Sequence, residues 1–370
     1  MNALGIIFAD SYSRHENNDL THFRSGASLP VGCRFRAIDF VLSGLVDAGI
    51  YTVGLLTKQN YGSLLDHLDG GKNWDLARKR GGLNIMTPYS RGQTASPTAT
   101  AGKLDALRSI TKYLENQSEE YVVLAQGNII ANLDFNDILT KHMANEADIT
   151  LVCAKVENPD EKCIVPTFDN DGILQDVHFS KGSGSQTVCI NCYCMRRDFL
   201  LAFLAKAELY DWHDLNRDLI LRHMDTLRIM SYIHEGYAAM TGTIAQYYKC
   251  NLDMLQSSVR EDLFNSERPI LTHIHDTVPT LYDFNADISN TLLADGCEIS
   301  GKVESSILFR EVTVEEGASV ENCVIMQGSK IGKNAVLKNV ICDKDVVISE
   351  GAELIGSPAY PYVLKKGAKI

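Results

Sequence analysis

Short apolar runs alternate with one-sided helical patterns through the first two thirds of the chain. Residues 4–9 (LGIIFA) are apolar without alternation and lead into polar residues, which is typical of a buried strand in a parallel sheet. The apolar positions from Ile38 to Val46 fall on one helical face, and Gly49 marks the predicted helix end.

The remaining pattern of this region predicts three more strands, over residues 51–56, 121–125 and 149–156, and four more helices, over about 104–114, 134–143, 212–223 and 243–255. Asn170, Asp171 and Gly172 predict a hairpin turn. Residues 70–82 are rich in lysine, arginine and glycine and predict a mobile loop. Strands that alternate with helices predict a doubly wound, Rossmann-like α/β domain.

Near the C-terminus the apolar positions repeat every 17 residues, as from Val314 to Ile331. The repeat forms four columns: Cys297, Val314, Ile331 and Ile348; Val303, Val320, Leu337 and Leu354; Ile307, Val324 and Ile341; and Leu308, Ile325 and Cys342. Within a coil the apolar positions step by six and then by five or six, which indicates a left-handed parallel β-helix of hexapeptide repeats with three strands per turn. Gly317, Asn334 and Gly351 share one coil position and predict a turn.

These patterns divide the chain into an α/β domain over residues 1–256, a linker over 257–288 and the β-helix over 289–370. The linker is predicted where the periodicity fades and Pro269 and Pro279 interrupt it. Because the open ends of a β-helix need a cap or a partner, self-association through this domain is also expected.

The composition narrows the classes of function that this chain can have. The 370 residues are enough for two domains with cores of their own. Lys and Arg number 35 against 47 Asp and Glu, for a net charge of −12, which argues against nucleic acid or an anionic membrane as partner. No signal peptide or membrane span is predicted, and ten cysteines fit reduced, buried thiols, so a cytoplasmic location is expected.

Three cysteines form the densest group of candidate ligands in the chain. Cys189 and Cys192 make a C-x-x-C pair that is compatible with a metal or with redox chemistry, but no second pair with zinc-like spacing follows. In a strand, Cys192 and Cys194 share one face and Cys189 takes the other. Packing in a core strand is therefore the preferred interpretation.

Two kinds of catalytic apparatus are missing from the sequence. A phosphate-binding loop needs glycines for close backbone approach, yet no glycine lies between Asp10 and Ser25. A hexapeptide acyltransferase needs a histidine base on a coil, and no histidine follows His275. The β-helix is therefore interpreted as a spacer or assembly domain.

Nearly the whole chain resembles one known family. The resemblance is carried by residues 4–9 (LGIIFA), 29–50 (LPVGCRFRAIDFVLSGLVDAGI), 98–107 (TATAGKLDAL), 121–130 (YVVLAQGNII), 241–255 (TGTIAQYYKCNLDML) and 294–309 (ADGCEISGKVESSILF). The family is bacterial glucose-1-phosphate adenylyltransferase, and the similarity is greatest to its GlgD-type subunit of glycogen biosynthesis.

The resemblance implies a definite reaction. In the active family, the phosphate of glucose 1-phosphate attacks the α-phosphorus of ATP and pyrophosphate leaves, with Mg²⁺ held by aspartates. At the matching positions this chain has Asn128 and Met240, and Gly26 stands where the family has a lysine. The phosphate loop is replaced by residues 10–24. The resemblance thus implies a chain without catalytic residues, metal ligands or resident cofactor, beside a partner that uses Mg²⁺ and ATP.

Some matching positions keep residue types that are suited to ligand binding. Lys181 lies where the family has a lysine resembling the sugar-phosphate anchor, although a solvated hairpin lysine is an equal interpretation. Gly102 and Asp105 retain part of the motif around the family's sugar and base pocket. Arg34 and Arg36 are candidates for binding an anionic effector, with a solvated loop as the alternative.

The expected function is therefore that of a non-catalytic regulatory subunit. The resemblance implies a hetero-oligomer, expected to be a tetramer, with a catalytic glucose-1-phosphate adenylyltransferase subunit in glycogen biosynthesis. Two alternatives remain open at this point: an active sugar-phosphate nucleotidyltransferase with a remodelled site, and a stand-alone sensor of nucleotide or sugar phosphate.

Overall fold

The structure, a computed structural model, describes residues 2–10, 18–87, 102–159, 163–180 and 182–370. The strands of the first domain are β1 (Ala3–Phe8), β2 (Pro30–Val31), β3 (Phe35–Arg36), β4 (Thr52–Leu56), β5 (Gly82–Met86), β6 (Tyr121–Gln126), β7 (Ile129–Ile130), β8 (Ile149–Glu157), β9 (Ile164–Phe168), β10 (Leu174–Phe179), β11 (Ser185–Arg196), β12 (Ile229–His234) and β13 (Ala239–Met240).

The helices of this region are α1 (Asn18–Thr21), α2 (Ala37–Asp47), α3 (Gly62–Leu68), α4 (Lys103–Ser109), α5 (Thr111–Glu115), α6 (Phe135–Ala144), α7 (Arg197–Leu209), α8 (Ile244–Asp253) and α9 (Ser257–Leu263). Two 3₁₀ turns, Gly26–Ser28 and Asp69–Trp74, and a π-helical segment, Leu215–Leu221, complete it.

A seven-stranded sheet with the order β12-β8-β11-β6-β1-β4-β5 forms the centre of the first domain. Its strands are parallel except for β11, which runs antiparallel to both of its neighbours. Alternate residues of β1 enter two separate cores, with Leu4, Ile6 and Phe8 on one side and Ile7 on the other. Helices cover both faces, so the doubly wound α/β fold predicted from the sequence is confirmed.

The segment over residues 70–82 is a loop only in its second half. It begins with the 3₁₀ turn Asp69–Trp74, and the side chains of Trp74 and Leu76 are buried in the core. Residues 75–81 lie in neither a helix nor a strand and lead into β5. The loop prediction was therefore wrong for the first half, where burial of two apolar side chains outweighs the charged residues around them. The predicted helix over 104–114 is likewise divided at Ile110 into α4 and α5.

The cysteine-rich segment lies in β11, in the middle of the sheet. Cys192 and Cys194 join the core on one face and Cys189 joins the core on the other, as predicted. All ten cysteines lie within the described residues, and they are buried and form no disulfide. The packing interpretation of the C-x-x-C pair agrees with these positions.

The C-terminal strands form three parallel five-stranded sheets. They are β14 (Leu281–Tyr282), β15 (Asp287–Ser289), β16 (Leu292–Leu293), β17 (Glu298–Ile299), β18 (Lys302–Glu304), β19 (Ile307–Leu308), β20 (Thr313–Val314), β21 (Ser319–Glu321), β22 (Val324–Ile325), β23 (Lys330–Ile331), β24 (Val336–Lys338), β25 (Val340–Cys342), β26 (Val347–Ile348), β27 (Glu353–Ile355) and β28 (Tyr362–Leu364). Strands of successive coils stack in register, and this arrangement is the predicted left-handed β-helix.

The register corrects one predicted column. Val314 pairs with Ile299 and not with Cys297, so this step of the repeat is two residues shorter than the later ones. The other three columns stack as predicted. Gly317, Asn334 and Gly351 all have positive φ, which explains why glycine and asparagine recur at this turn.

The domain boundaries stay a prediction, but the structure shows what the linker region contains. Helix α9 lies at its start, and β14 and β15 already pair with the next coil of the β-helix. The region is therefore partly built into the domain that follows it.

The two domains share a buried interface. A single apolar core combines Phe40 and Tyr248 of the first domain with Ile307, Val324 and Ile341 of the β-helix. Within it, Arg24 Nη2 lies 2.6 Å from Asp343 Oδ1, and both side chains are almost fully buried. Among the helices within the described ranges, none is long and apolar enough to span a membrane.

Candidate functional site

The candidate site lies at the carboxyl ends of β1 and β6. β1 and β6 are neighbouring parallel strands, and β4 lies on the other side of β1. The strand order therefore reverses between β1 and β6. In open α/β sheets such a reversal opens a crevice beyond the strand ends, where ligands bind. The segments that reach this crevice begin after Phe8 and after Gln126.

The floor of the crevice is held by the end of β6. The Gln126 side-chain amide donates to the carbonyl oxygens of Phe8, at 3.2 Å, and Asp10, at 2.9 Å. Gly127 follows, and a Cβ there would lie 2.9 Å from Cβ of Ala27. The glycine is therefore needed for the close approach of the turn Gly26–Ser28 to the strand end.

The structure brings Asn128 and Met240 together, although they lie 112 positions apart in the chain. Asn128 immediately precedes β7, and Met240 on β13 pairs with Ile129. The backbone N–H of Thr241 donates to the carbonyl oxygen of Asn128 at 3.3 Å. The two positions that the resemblance matches to the family's metal-binding aspartates are thus neighbours in this structure.

These two side chains do not fit a magnesium ion. The Asn128 amide offers one neutral oxygen and no charge, while the Met240 thioether is a soft ligand that Mg²⁺ does not take in preference to water. The Met240 side chain is also mostly buried, at 6 % exposure. In the part of the chain that the structure describes, no group of three or more His, Cys, Asp or Glu side chains could hold a metal ion.

A bulge in β11 places a third residue, Asn191, beside Met240. The register of β11 against β8 shifts between Cys189 and Cys192, and Asn191 within the bulge has a φ of 58°. The Asn191 Nδ2 lies 3.9 Å from Sδ of Met240. Bulges of this kind re-aim side chains beside functional sites.

Lys103, the first residue of α4, completes the group. Its Nζ donates to Asn191 Oδ1 at 2.9 Å and lies 5.6 Å from the ring centre of Phe8 and 6.0 Å from that of Tyr193. Among the described residues, no Asp or Glu forms an ion pair with this ammonium group. Burial lowers the pKa of Lys103 to about 8.

Gly102 and Asp105 lie beside Lys103 at the start of α4. Asp105 Oδ2 accepts from the backbone N–H of Gly102 at 3.0 Å, and both carboxylate oxygens lie within 2.9 Å of His213 Nδ1. Arg108 pairs with the same carboxylate. A Cβ at residue 102 would overlap the backbone of His213, so glycine is required there. These contacts position α4, and direct substrate binding by Gly102 or Asp105 stays a prediction.

The remaining candidate residues lie at different places. Lys181 lies outside the described residues, as do residues 11–17 of the segment that replaces the phosphate loop. A Cβ at Gly26 would meet no atom within 4 Å. Arg34 is exposed, whereas Arg36 is half-buried and donates to the carbonyl oxygen and hydroxyl of Ser63 at 2.6 and 2.7 Å.

A cavity of about 1020 Å³ lies next to Met240. Its lining includes Tyr237, Thr243, Gln246 and Lys249 from the β13–α8 region. Lys249 is paired with Asp253, at 2.8 Å, and with Glu157, at 3.3 Å. The cavity is large enough for a small organic ligand.

Sequence reasoning missed two residues that build the crevice: Lys103 and Asn191. Nothing in the local pattern distinguishes Asn191 from its neighbours in the strand, because its placement depends on the bulge. Lys103 gives a weak signal, as a charged residue among the apolar and small residues of TATAGKLDAL.

Comparisons with known proteins agree with the two domains. Residues 18–174 match the family model described as nucleotidyl transferase, and residues 278–359 match the one described as GlmU-like, C-terminal hexapeptide.

Similar proteins cover the chain almost from end to end. The glycogen biosynthesis protein GlgD of Bacillus subtilis (strain 168) is 30 % identical over 365 residues, which are 98 % of this chain and 96 % of the relative. Glucose-1-phosphate adenylyltransferase of Fervidobacterium nodosum is 28 % identical, over 95 % of this chain and 85 % of the relative. The enzyme of that name from Bacillus anthracis is 29 % identical, over 90 % of this chain and 89 % of the relative.

Proposed function

Because this chain belongs to the family of GlgD and the glucose-1-phosphate adenylyltransferases, we propose that it is a non-catalytic regulatory subunit of that enzyme in glycogen biosynthesis. It binds a catalytic sister subunit in a hetero-oligomer, expected to be a tetramer, and changes the turnover of that subunit or its response to metabolites. The Mg²⁺ and ATP are used by the sister subunit.

One observation carries the proposal: the two positions matched to the family's metal ligands lie side by side at the strand ends, but neither brings an anionic oxygen. Asn128 and Met240 are neighbours across the β7–β13 pair, where a metal-dependent transfer would need anionic oxygens. Phosphoryl transfer depends on positioning and charge neutralisation, so the loss of the metal ligands removes a dominant part of the catalysis.

The residues proposed for effector binding lie where the two domains meet. Burial lowers the pKa of Arg36 to about 10, with Arg24 and Arg310 nearby. Burial also lowers the pKa of Lys344 to about 8, with Arg36 and Arg24 acting in the same direction. An anion beside Arg34 and Arg36 would offset the repulsion among these arginine and lysine side chains, and it would contact both domains. An effector that binds across two domains can shift the balance between their conformations.

The first test is turnover by the purified chain. With ATP, Mg²⁺ and glucose 1-phosphate, the chain alone should release no pyrophosphate above background. Turnover that rises with enzyme concentration would instead support an active transferase with a remodelled site, a function that the large cavity beside Met240 leaves room for.

The second test is the mixture with a partner. Co-expression with a catalytic glucose-1-phosphate adenylyltransferase subunit should give a co-purifying complex whose kcat or effector response differs from that of the catalytic subunit alone. Arg34→Gln should leave the complex intact but weaken its response to inorganic phosphate, used as a probe anion. Failure of the two chains to associate would overturn the regulatory-subunit proposal.

A further inference from the structure

We infer that Lys103 supplies the positive charge that a metal ion would otherwise provide, so that this crevice binds the phosphoryl group of a phosphate monoester without any metal. The inference deepens the proposed function, since it rests on the loss of the metal ligands and names the class of ligand that the altered site takes. It concerns binding alone and involves no chemical step.

The first argument is the uncompensated charge of Lys103. A partly buried ammonium group normally has a carboxylate beside it, because desolvation of a lone charge is costly. Within the described ranges, the contacts of Lys103 Nζ are the Asn191 side-chain oxygen at 2.9 Å and the faces of two aromatic rings. Burial is the largest cause of the lowered Lys103 pKa, and Cys189, Asp214 and Cys163 act through space in the opposite direction. The Asp214 carboxylate accepts from the backbone N–H of Arg217. The ammonium group donates to a neutral amide, and no carboxylate among the described residues forms an ion pair with it, so its charge is available to an anion.

The second argument is that Lys103 is connected to the former metal positions. Lys103 contacts Asn191, Asn191 contacts Met240, and Thr241, next to Met240, donates to the Asn128 carbonyl oxygen. The cation and the two altered positions therefore form one continuous group at the strand ends. A metal ion and a lysine in the same crevice would repel each other, whereas a lysine in place of the ion serves the same anionic ligand.

The third argument concerns the class of anion. The polar side chains of this group other than Lys103 are neutral: Asn191, Asn128, and Tyr193, whose hydroxyl contacts Asn191 and Asn216. A side-chain amide has two N–H donors that can reach the oxygens of an anion, and a lysine ammonium binds phosphate as a point charge. The cavity beside Met240 has space for an organic group attached to that phosphate.

Isothermal titration calorimetry on the isolated full-length chain tests this, with EDTA present in the metal-free titrations. The probes are inorganic phosphate, glucose 1-phosphate and unphosphorylated glucose. We expect the two phosphates to bind and glucose not to bind, and we expect Mg²⁺, added in a parallel series without EDTA, to leave the affinity unchanged or to weaken it. Binding that requires Mg²⁺, or no binding of either phosphate, would overturn the inference.

Variants assign the site. Lys103→Gln should weaken binding of glucose 1-phosphate by about ten- to a hundredfold, since it removes a charge-assisted hydrogen bond. Lys338→Gln is the matched control on the β-helix, where the exposed charge is already balanced by Glu321, and should change the affinity less than about threefold. Arg34→Gln controls for phosphate bound at the domain junction instead, and a loss in that variant with none in Lys103→Gln would refute the assignment.

A measurement on the unaltered chain applies even if Lys103→Gln does not fold. Reductive methylation followed by peptide mapping should modify Lys103 readily at pH 8, because its pKa is lowered to about 8, and glucose 1-phosphate should protect it. Modification at Lys330, an exposed lysine of β23 in the β-helix, should not change with the ligand. Equal modification of Lys103 with and without glucose 1-phosphate would contradict the inference.

The outcomes for the two proposals are separable. Metal-free binding without stimulation of a partner would support the inference and overturn the regulatory function. Stimulation of a partner without metal-free binding would support the regulatory function and overturn the inference.

Discussion

At the scale of single residues, the crevice lacks the negative charge that a metal-dependent transferase needs to hold its ion. Gln126 keeps the strand ends in place through neutral hydrogen bonds, Asn128 adds a neutral amide, and Met240 fills its position with a buried thioether. The cation of this group, Lys103, is oriented by Asn191. Each of these side chains is neutral or positive where a bound Mg²⁺ would need negative oxygens.

A double reversion tests how much of the activity depends on these two positions. Asn128→Asp with Met240→Asp should restore less than about a hundredth of a catalytic relative's kcat, because the phosphate loop remains changed and Lys103 still repels the ion. A pyrophosphate-release assay with Mg²⁺ measures this. Adding Lys103→Thr to the double variant should strengthen its weak Mg²⁺ binding. Full activity of the double variant alone would show that the phosphate loop is not required.

At the scale of elements, the start of α4 is the feature that positions Lys103. Asp105, at the third helical position, accepts from the Gly102 backbone N–H and holds His213 from the segment before the π-helix. Asp105 therefore raises the pKa of His213, and the hydrogen bond is the largest cause. The helix start and the neighbouring segment are fixed to each other by one carboxylate.

Asp105→Asn should lower the free energy of unfolding by about 1–2 kcal/mol near pH 6, since it removes a charged partner of both a helix N-terminus and a histidine. The folded-state pKa of His213 is raised, so this stabilisation is fully present below the unfolded pKa of about 6.5 and is lost as pH rises through the folded pKa. The loss in Asp105→Asn should thus be smaller at pH 9, as measured by urea denaturation at both pH values.

The control for this prediction is Asp198→Asn, which removes an exposed partner of Arg196 and no histidine contact. Its effect should be below about 1 kcal/mol and independent of pH over this range. Equal losses for Asp105→Asn at pH 6 and pH 9 would show that the His213 contact contributes nothing.

At the scale of the whole molecule, the α/β domain and the β-helix are joined by an apolar core that contains one buried ion pair. Arg24, just after α1, reaches Asp343 in the β-helix, and its other terminal nitrogen lies 3.5 Å from Sδ of Met326. Arg24 also belongs to the end of the segment that the resemblance matches to the phosphate loop. The end of that segment therefore serves here to fix the β-helix against the first domain.

Removal of one partner of this pair should be costly. Arg24→Met should reduce the free energy of unfolding by about 3–5 kcal/mol, because it leaves the Asp343 carboxylate buried without a counter-charge. Chemical denaturation of the full chain measures this, and Arg24→Met with Asp343→Leu should recover much of the loss.

The matched control lies at the same junction. Lys365 and Asp19 also join the β-helix to α1, at 3.0 Å, but both side chains are exposed to solvent. Lys365→Met should cost less than about 1 kcal/mol. If Arg24→Met cost no more than Lys365→Met, the buried pair would contribute nothing to the joining of the domains.

The sequence by itself determined the type of both domains. Apolar periodicity reports which side chains face a core, and that depends on the local twist of a helix or strand, so alternating elements and three columns of the 17-residue repeat were readable directly. The first half of the segment over residues 70–82 and the Cys297 column were misjudged, because burial of Trp74 and the shorter step to Ile299 depend on neighbours distant in the chain.

Tertiary structure alone decided what the crevice contains. The resemblance pointed to Asn128 and Met240, but only the pairing of β7 with β13 shows that they are neighbours, and only the bulge in β11 places Asn191 between Met240 and Lys103. The charge of a site is a sum over side chains from distant segments. Sequence spacing carries no record of that sum, because the segments meet only when the sheet is assembled.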